Sequence, residues 1–427
     1  MSTKRPIFYG WWVVLAAAVA NGGQGIMFYG FGIIFPAILD QFGWSRALTS
    51  SVYSFQLAVN SFLMLVMGYL ADRFSPRLLV GAGAVLMFIG YALSGLATNI
   101  WHLYLLFGVI VGAGASAMYI PPIIVVTRWF EDRKGLALGI AVSGIGIGGS
   151  LGSPFLNWLI QSYGWKTALP ILGVVLAGFL SLASLILRGD PREMALLPYK
   201  RELGSRATET SVMGKVGLNE HWDSSKDVIT EWTTLEAIRT RSFAILYLML
   251  FLANGVLVGL MAHLFTYATE NAVSSGIVSL SYSIIGVASI AAKVGSGALS
   301  DRIGRKPLFF LSFLFQGLAF LLLLPVPSGF MLCLFAGTFG IAYGGWPALF
   351  PAALSDFFGV KAMGKIYAVL TTNFFTCAIC YPIFAGWIFD ISGTYLYTFG
   401  VFSGLCFFGA AVSLLLGPPQ RVHLRRG

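Results

Sequence analysis

Charge is scarce in this chain. Of its 427 residues only 10% are Asp, Glu, Lys or Arg, against about 25% in an ordinary soluble domain. That scarcity excludes a fold that meets water on every side. No GxxxxGK[ST] run occurs anywhere, which excludes a P-loop ATP site. Only four histidines are present, and no nucleophile, base or metal-ligand set gathers in one stretch, so nothing points to an enzyme or a cofactor. The four cysteines, Cys333, Cys377, Cys380 and Cys406, all fall in apolar segments. The CxxC at 377 to 380 has no second ligand pair or His beside it, so these thiols read as apolar packing groups and not as a metal site.

What the chain has in abundance is apolar sequence: 57% hydrophobic and 15% aromatic residues, with a mean hydropathy of +0.81. Runs of 20 or more apolar residues alternate with short clusters that hold nearly all the ionisable groups. That is the pattern of a polytopic helical membrane protein. Twelve spans are expected, near residues 9–39, 47–71, 77–97, 100–128, 134–161, 166–188, 242–268, 275–299, 307–325, 328–356, 364–388 and 394–417. Lys4 and Arg5 ahead of the first run imitate a signal peptide, but the run continues to about Leu39, too long for one. The expected organisation is a six-helix bundle over 1–188, a linker over 189–241 and a second six-helix bundle over 242–427. The linker holds nine of the seventeen acidic residues, a composition suited to water.

The formal net charge of +10 could suggest nucleic acid, but the basic residues lie in loops of one side. Arg73, Arg77, Arg128, Arg133, Lys134, Arg302, Arg305, Lys306, Lys361 and Lys365 alternate with the opposite side's Arg46 and Lys166. By the positive-inside rule both termini are cytoplasmic, in a plasma membrane such as a bacterial inner membrane. Lipid, not nucleic acid, is the expected surroundings, and a monomer is the expected state.

GYLADRFSPR at 68–77 and GALSDRIGRK at 297–306 match at a constant offset of 229, each between the second and third span of its half. A parallel duplication with a binding site between the halves is the expectation. The second copy closely resembles the loop signature of the major facilitator superfamily, Gly-x-Leu-x-Asp-Arg-x-Gly-Arg-Lys; the first has Ser75 in place of the second Gly. YGWW at 9–12, FGIIFPAILDQFGWSRA at 31–47, RWFEDRKGLALGIAVSGIGIGG at 128–149 and YPIFAGWIFDISGTY at 381–395 resemble the monocarboxylate transporter group and its bacterial oxalate/formate antiporter relatives. The glycines Gly144, Gly146, Gly148, Gly149 and Gly152 follow no strand, so they read as close helix packing and not as a dinucleotide fingerprint. The resemblance implies an all-α transporter of two pseudo-symmetric six-helix bundles, with Gly68, Asp72, Arg73, Arg77, Gly297, Asp301, Arg302 and Lys306 in its gating loops.

An ionisable group deep in a span is costly and therefore informative. Lys293, one turn before Gly297, stands where the resemblance places an Arg that holds a substrate carboxylate. Stepping back by helical spacing, Ser289, Gly286 and Tyr282 give it a small, polar face, as expected of a cavity wall. No Asp or Glu falls near the middle of a span; Glu270, Asp356 and Asp390 are all at span ends. His263 is therefore the candidate proton carrier, alone or with Lys293. Further polar candidates at cavity depth are Gln24, Tyr29, Tyr119, Asn254, Tyr343 and Asn373, with Asn21 beside them. The resemblance implies a secondary transporter of small organic acid anions, lactate- or pyruvate-like, with protons. Two alternatives stand beside it: an anion exchanger of the oxalate/formate type, and a transporter-like membrane sensor. The lone deep cation favours a monoanion, and the short linker and tail disfavour a sensor.

Overall fold

The computed structural model describes residues 8–71, 73–130, 134–194, 232–325, 328–359 and 363–419. Its long helices are α1 (Gly10–Phe42), α2 (Arg46–Leu70), α3 (Pro76–Ser94), α4 (Ile100–Trp129), α5 (Lys134–Tyr163), α6 (Trp165–Ile186), α7 (Arg241–Glu270), α8 (Ser275–Ile303), α9 (Arg305–Leu321), α10 (Gly329–Phe358), α11 (Met363–Thr371 continued by Asn373–Ser392) and α12 (Leu396–Ser413). Within lipid only a helix or a closed barrel satisfies every backbone N–H and C=O, and these apolar runs take the first solution. Eleven of the described helices are long and apolar enough to cross a membrane. The remaining one, α9, has 17 residues and reaches about 25 Å. The linker side carries short helices at Pro191–Met194 and Thr234–Ile238. Most of the charged linker expected over 189–241 lies outside the described residues.

The exterior is apolar, the inverse of a soluble protein: Leu65, Leu151, Trp101 and Phe330 are all more than 60% exposed. Lipid is as apolar as these side chains, so helices gain little by hiding them and associate through close packing instead. Glycine provides it. A Cβ on Gly144 would stand 2.0 Å from the Ala18 carbonyl oxygen, and one on Gly148 2.1 Å from that of Gly22, so α5 lies backbone to backbone on α1. The second six helices use a variant of this contact, in which Gly255 leaves room on α7 for the Tyr381 ring of α11.

Two spans are interrupted. In α4 a π-helical stretch at Tyr104–Val111 is followed by a break at Ala117–Tyr119. Pro121 and Pro122 have no N–H to give the carbonyls of Ala117 and Met118, so the helix cannot run through. In α11 the break is at Thr372, where the Asn373 amide donates to the Leu370 carbonyl at 2.8 Å and competes with the helix ladder.

The first six and last six helices meet along α1 with α7, α2 with α11 and α5 with α8. Gly32 faces the Met261 carbonyl, Gly386 faces the Ala47 amide, and Gly146 and Gly286 face each other's backbone. Ser150 donates to the Ser283 carbonyl at 3.0 Å, Ser283 returns a bond to the Ser150 carbonyl, and Asn157 donates to the Ser275 hydroxyl at 3.4 Å. Among the described residues, every side-chain hydrogen bond joining the two sets lies between mid-span and the end away from the linker, here the far end.

Gly148→Ala is expected to wedge α1 from α5 and cost about 1–3 kcal/mol, while Gly178→Ala, with nothing within 4 Å of its Cβ, is expected to be neutral or slightly stabilising. Thermal unfolding of the two variants in detergent checks this; equal melting temperatures would contradict it.

Candidate functional site

Four of the candidate residues converge from both sets of helices at mid-span. Lys293 on α8 places its ammonium 5.6 Å from the centre of the Tyr343 ring of α10, within the range of a cation–π contact. Tyr343 packs edge-on against Trp346 at 5.5 Å. Facing it from the first six helices are Tyr29 of α1 and Tyr119, which sits at the break in α4; both lie within electrostatic reach of Tyr343. The Tyr29 hydroxyl is buried beside that of Tyr343. The Tyr29 ring has room because Gly149 lacks the Cβ that would stand 2.6 Å from it. The Lys293 ammonium has no carboxylate partner among the described residues, while Arg46 pairs with Glu270 and Arg305 with Asp356 at span ends. The arrangement is a cation and phenol hydroxyls set to take an anion with a further polar group.

The face leading away from Lys293 is packed, not open as a cavity wall would be. Ser289 is buried against Gly344 of α10, Gly286 against Gly146 of α5, and the Tyr282 hydroxyl donates to the Met261 carbonyl of α7 at 3.1 Å. Small residues at that spacing serve helix contact here, which the sequence pattern could not separate from cavity lining.

Other candidates are tied up in pairs. Gln24 donates to the Asn60 side chain at 3.0 Å, and Asn60 to the Gly112 carbonyl at 3.3 Å, joining α1, α2 and α4. Asn254 donates to Asn373 at 3.0 Å, joining α7 to the break in α11. Asn21 donates to the Ala17 carbonyl of its own helix. Cys377 and Cys406 are buried and Cys380 is exposed, all as free thiols.

His263 lies away from Lys293, toward the far end, in a network the sequence reading did not assemble. It is fully buried on α7. Its Nε2 bonds the Pro382 carbonyl at 2.9 Å and its Nδ1 the Tyr395 hydroxyl at 2.9 Å. The Arg46 guanidinium of α2 donates to the same hydroxyl at 2.9 Å, pairs with Glu270 and stacks 3.4 Å over the Phe389 ring. Asp390 of α11 accepts the backbone N–H groups of Arg46 and Ala47, each at 2.9 Å, and so caps α2 from the opposite set of helices. Ser50 adds a bond to the Pro382 carbonyl at 3.0 Å. A signal was present: a basic residue in the first turn of a helix is unfavourable for the dipole unless acids stand nearby.

The loop signatures behave less alike than their sequences. Arg77 donates to the carbonyls of Leu187, at 3.1 Å, and Leu185. Tyr9 donates to the Ile186 carbonyl at 2.9 Å and Trp129 to that of Arg188 at 2.8 Å. The chain leaving α6 is thus capped by a cation and two aromatic donors, from the stretches YGWW and RWF. A Cβ on Gly68 would stand 3.9 Å from the Ile120 side chain, and Arg73 lies exposed over the Tyr69 ring at 4.4 Å. Asp72 lies outside the described residues. In the second copy Gly297 and Asp301 continue α8, Arg302 and Lys306 are exposed, and the neighbouring Arg305 bonds Asp356 at 3.0 Å. Arg77→Met is expected to leave those carbonyls uncapped at a cost of about 1–2 kcal/mol, and Arg73→Met to stay within about 0.5 kcal/mol. Melting temperatures in detergent compare them, and no loss in the first variant would remove the capping role.

The family model of the Major Facilitator Superfamily matches residues 17–295 and 244–426. Monocarboxylate transporter 12 of Xenopus laevis is 29% identical over 402 residues, covering 92% of this chain and 85% of its own. Monocarboxylate transporter 11 of Mus musculus is 27% identical over 423 residues, covering 94% and 87%. Among solved structures a D-xylose-proton symporter superposes with a TM-score of 0.71 at 15% identity, covering 96% of this chain and 98% of its own. A bacterial homolog of the human lysosomal transporter Spinster, inward-facing and unoccupied, gives 0.68 at 16% identity, covering 96% and 95%. These relatives are transporters and not enzymes. With its apolar spans, its duplicated loop signature and this match over nearly its whole length, the chain is an integral membrane protein that belongs to the major facilitator superfamily, with sequence relatives in the monocarboxylate transporter group.

Proposed function

We propose that this protein is a secondary active transporter of small organic monocarboxylates, lactate- or pyruvate-like, working by alternating access between residues 1–188 and 242–427 about the linker at 189–241. The observation that carries the reading is the ammonium of Lys293 inside a span, without a carboxylate partner among the described residues and over the ring of Tyr343, which Tyr29 and Tyr119 approach from the first six helices. A charge held at mid-membrane without a partner costs roughly 3 kcal/mol. A bound carboxylate removes that charge and lowers the barrier to closing the site from either side. The resting carrier carries the charge uncompensated, so the proton that accompanies the anion rides on His263 or on the Lys293–carboxylate pair. The Tyr29 and Tyr343 hydroxyls, buried beside each other, are suited to the hydroxyl or keto oxygen beside the carboxylate. Gln24, Asn254 and Asn373 act one layer back, holding the helices that carry the site. The Lys/Arg distribution supports cytoplasmic termini in a bacterial inner membrane, and the linker-side signatures then gate the cytoplasmic mouth.

Uptake of labelled lactate, pyruvate, acetate and oxalate into proteoliposomes, with and without an inward proton gradient, tests the proposal. A monocarboxylate is expected to accumulate only with the gradient. Lys293→Gln is expected to lose about 30-fold or more in apparent affinity, and Lys293→Arg to retain part of it, since charge is kept while geometry changes. Uptake that ignores the gradient but requires an internal anion would make the protein an exchanger. Normal transport by Lys293→Gln would remove the site.

A further inference from the structure

The hydrogen bonds around His263 can be assigned donor by donor. The Pro382 carbonyl can only accept, so Nε2 carries a proton and donates to it. The Arg46 guanidinium can only donate, so the Tyr395 oxygen accepts from it. The Tyr395 hydroxyl is then left with its own proton to give, and Nδ1 of a neutral His263 is the acceptor placed to take it, at 2.9 Å. In the docked arrangement each partner is satisfied and the one vacant position for a further proton on the imidazole is Nδ1.

A proton on Nδ1 reverses that bond. Nδ1–H would donate to the Tyr395 oxygen, which already accepts from Arg46, and the Tyr395 proton would lose its acceptor, none other being present for it among the described residues. Two cations would then share one buried hydroxyl, a repulsion little screened away from water. The groups that face this cluster are Arg46 from α2, Glu270 and Tyr267 from α7, Asp390 from α11, Tyr395 ahead of α12, Tyr282 from α8, and the apolar ring of Phe35 from α1, whose own acid, Asp40, is exposed. Asp390, held by the α2 amides, lies within electrostatic reach of His263 and offsets part of the added charge, but it makes no hydrogen bond to Nδ1, and Glu270 is paired with Arg46 itself.

We propose that His263 is a proton-binding group that competes with Arg46 for the Tyr395 hydroxyl, so that protonation of His263 undocks Arg46 and releases the far end. The inference rests on the reading of His263 as a proton group and gives that reading a structural consequence. Arg46 belongs to the first six helices, while His263, Glu270, Asp390 and Tyr395 all belong to the last six. The proton and the docked guanidinium are therefore alternative cations at one position, one in the open far end and one in the closed.

The test reads conformation without substrate. Spin labels on Asp40→Cys and Leu396→Cys, both exposed at the far end, with Cys333 and Cys380 replaced by Ser, report the distance between the two sets of helices in the full chain. The closed population is expected to fall by at least about twofold as pH is lowered from about 8 to about 5. In H263Q the population is expected to stay closed at both pH values; in E270Q closure is expected to be weaker with the pH response kept. Y395F, which removes the contested hydroxyl, is expected to lose the response as well and keeps the test open should H263Q fail to fold. A population that ignores pH in the unmodified chain, or an H263Q response equal to the unmodified one, overturns the proposal, as does a response lost in E270Q but kept in H263Q. Lys293→Gln is expected to keep the pH response while losing transport, so failure of this inference and failure of the proposed function are read separately.

Discussion

Helices in lipid have almost no hydrophobic reason to touch, and that constraint governs this structure. What joins them is backbone approach, and the chain makes room for it with glycine wherever two spans must cross closely. Gly144 and Gly148 set α5 on α1, and Gly340 and Gly344 set α10 on α8. Between the two sets of six, Gly146 and Gly286 do the same, joined by the reciprocal serine pair Ser150 and Ser283. A contact of small residues and short hydrogen bonds has no deep interdigitation to undo.

Charge then decides which ends are held together. At mid-span the one described cation, Lys293, is left without a carboxylate, a debt that a bound anion can settle. At the far end the cation Arg46 is surrounded by Glu270, Tyr395, Phe389 and the capping carboxylate Asp390. Near the linker, Arg77 is spent on the carbonyls that end α6. The three cations have different tasks because of what each faces: nothing acidic, an acidic partner across the bundles, or the negative end of a helix.

The fold class was legible because it depends on composition and spacing. Twenty-residue apolar runs, the basic side and the repeated loop signature need no knowledge of contacts, and their physical causes act locally along the chain. Lys293 was legible for the same reason: a charge inside an apolar run is conspicuous whatever surrounds it. The breaks were less so. Pro121 and Pro122 mark the interruption of α4, but the one at Thr372 follows from an asparagine side chain taking a carbonyl, which the sequence shares with many unbroken helices.

Pairings across the bundle were not legible at all. Tyr9, Arg77 and Trp129 lie far apart in sequence, yet they cap four successive residues at the end of α6. Arg46 and Asp390 are 344 residues apart, yet one caps the helix that begins with the other. His263 could be named from its type and depth, but its partners could not, and with them went the difference between a group lining a central site and one built into a closure. The sequence by itself determined the solvent, the number of the spans and the presence of a deep cation, because each is a property of a segment and its own hydration. Only the tertiary structure decided which polar groups are satisfied by one another and which remain free for a ligand, because hydrogen-bond satisfaction belongs to pairs of atoms that the chain brings together only when folded.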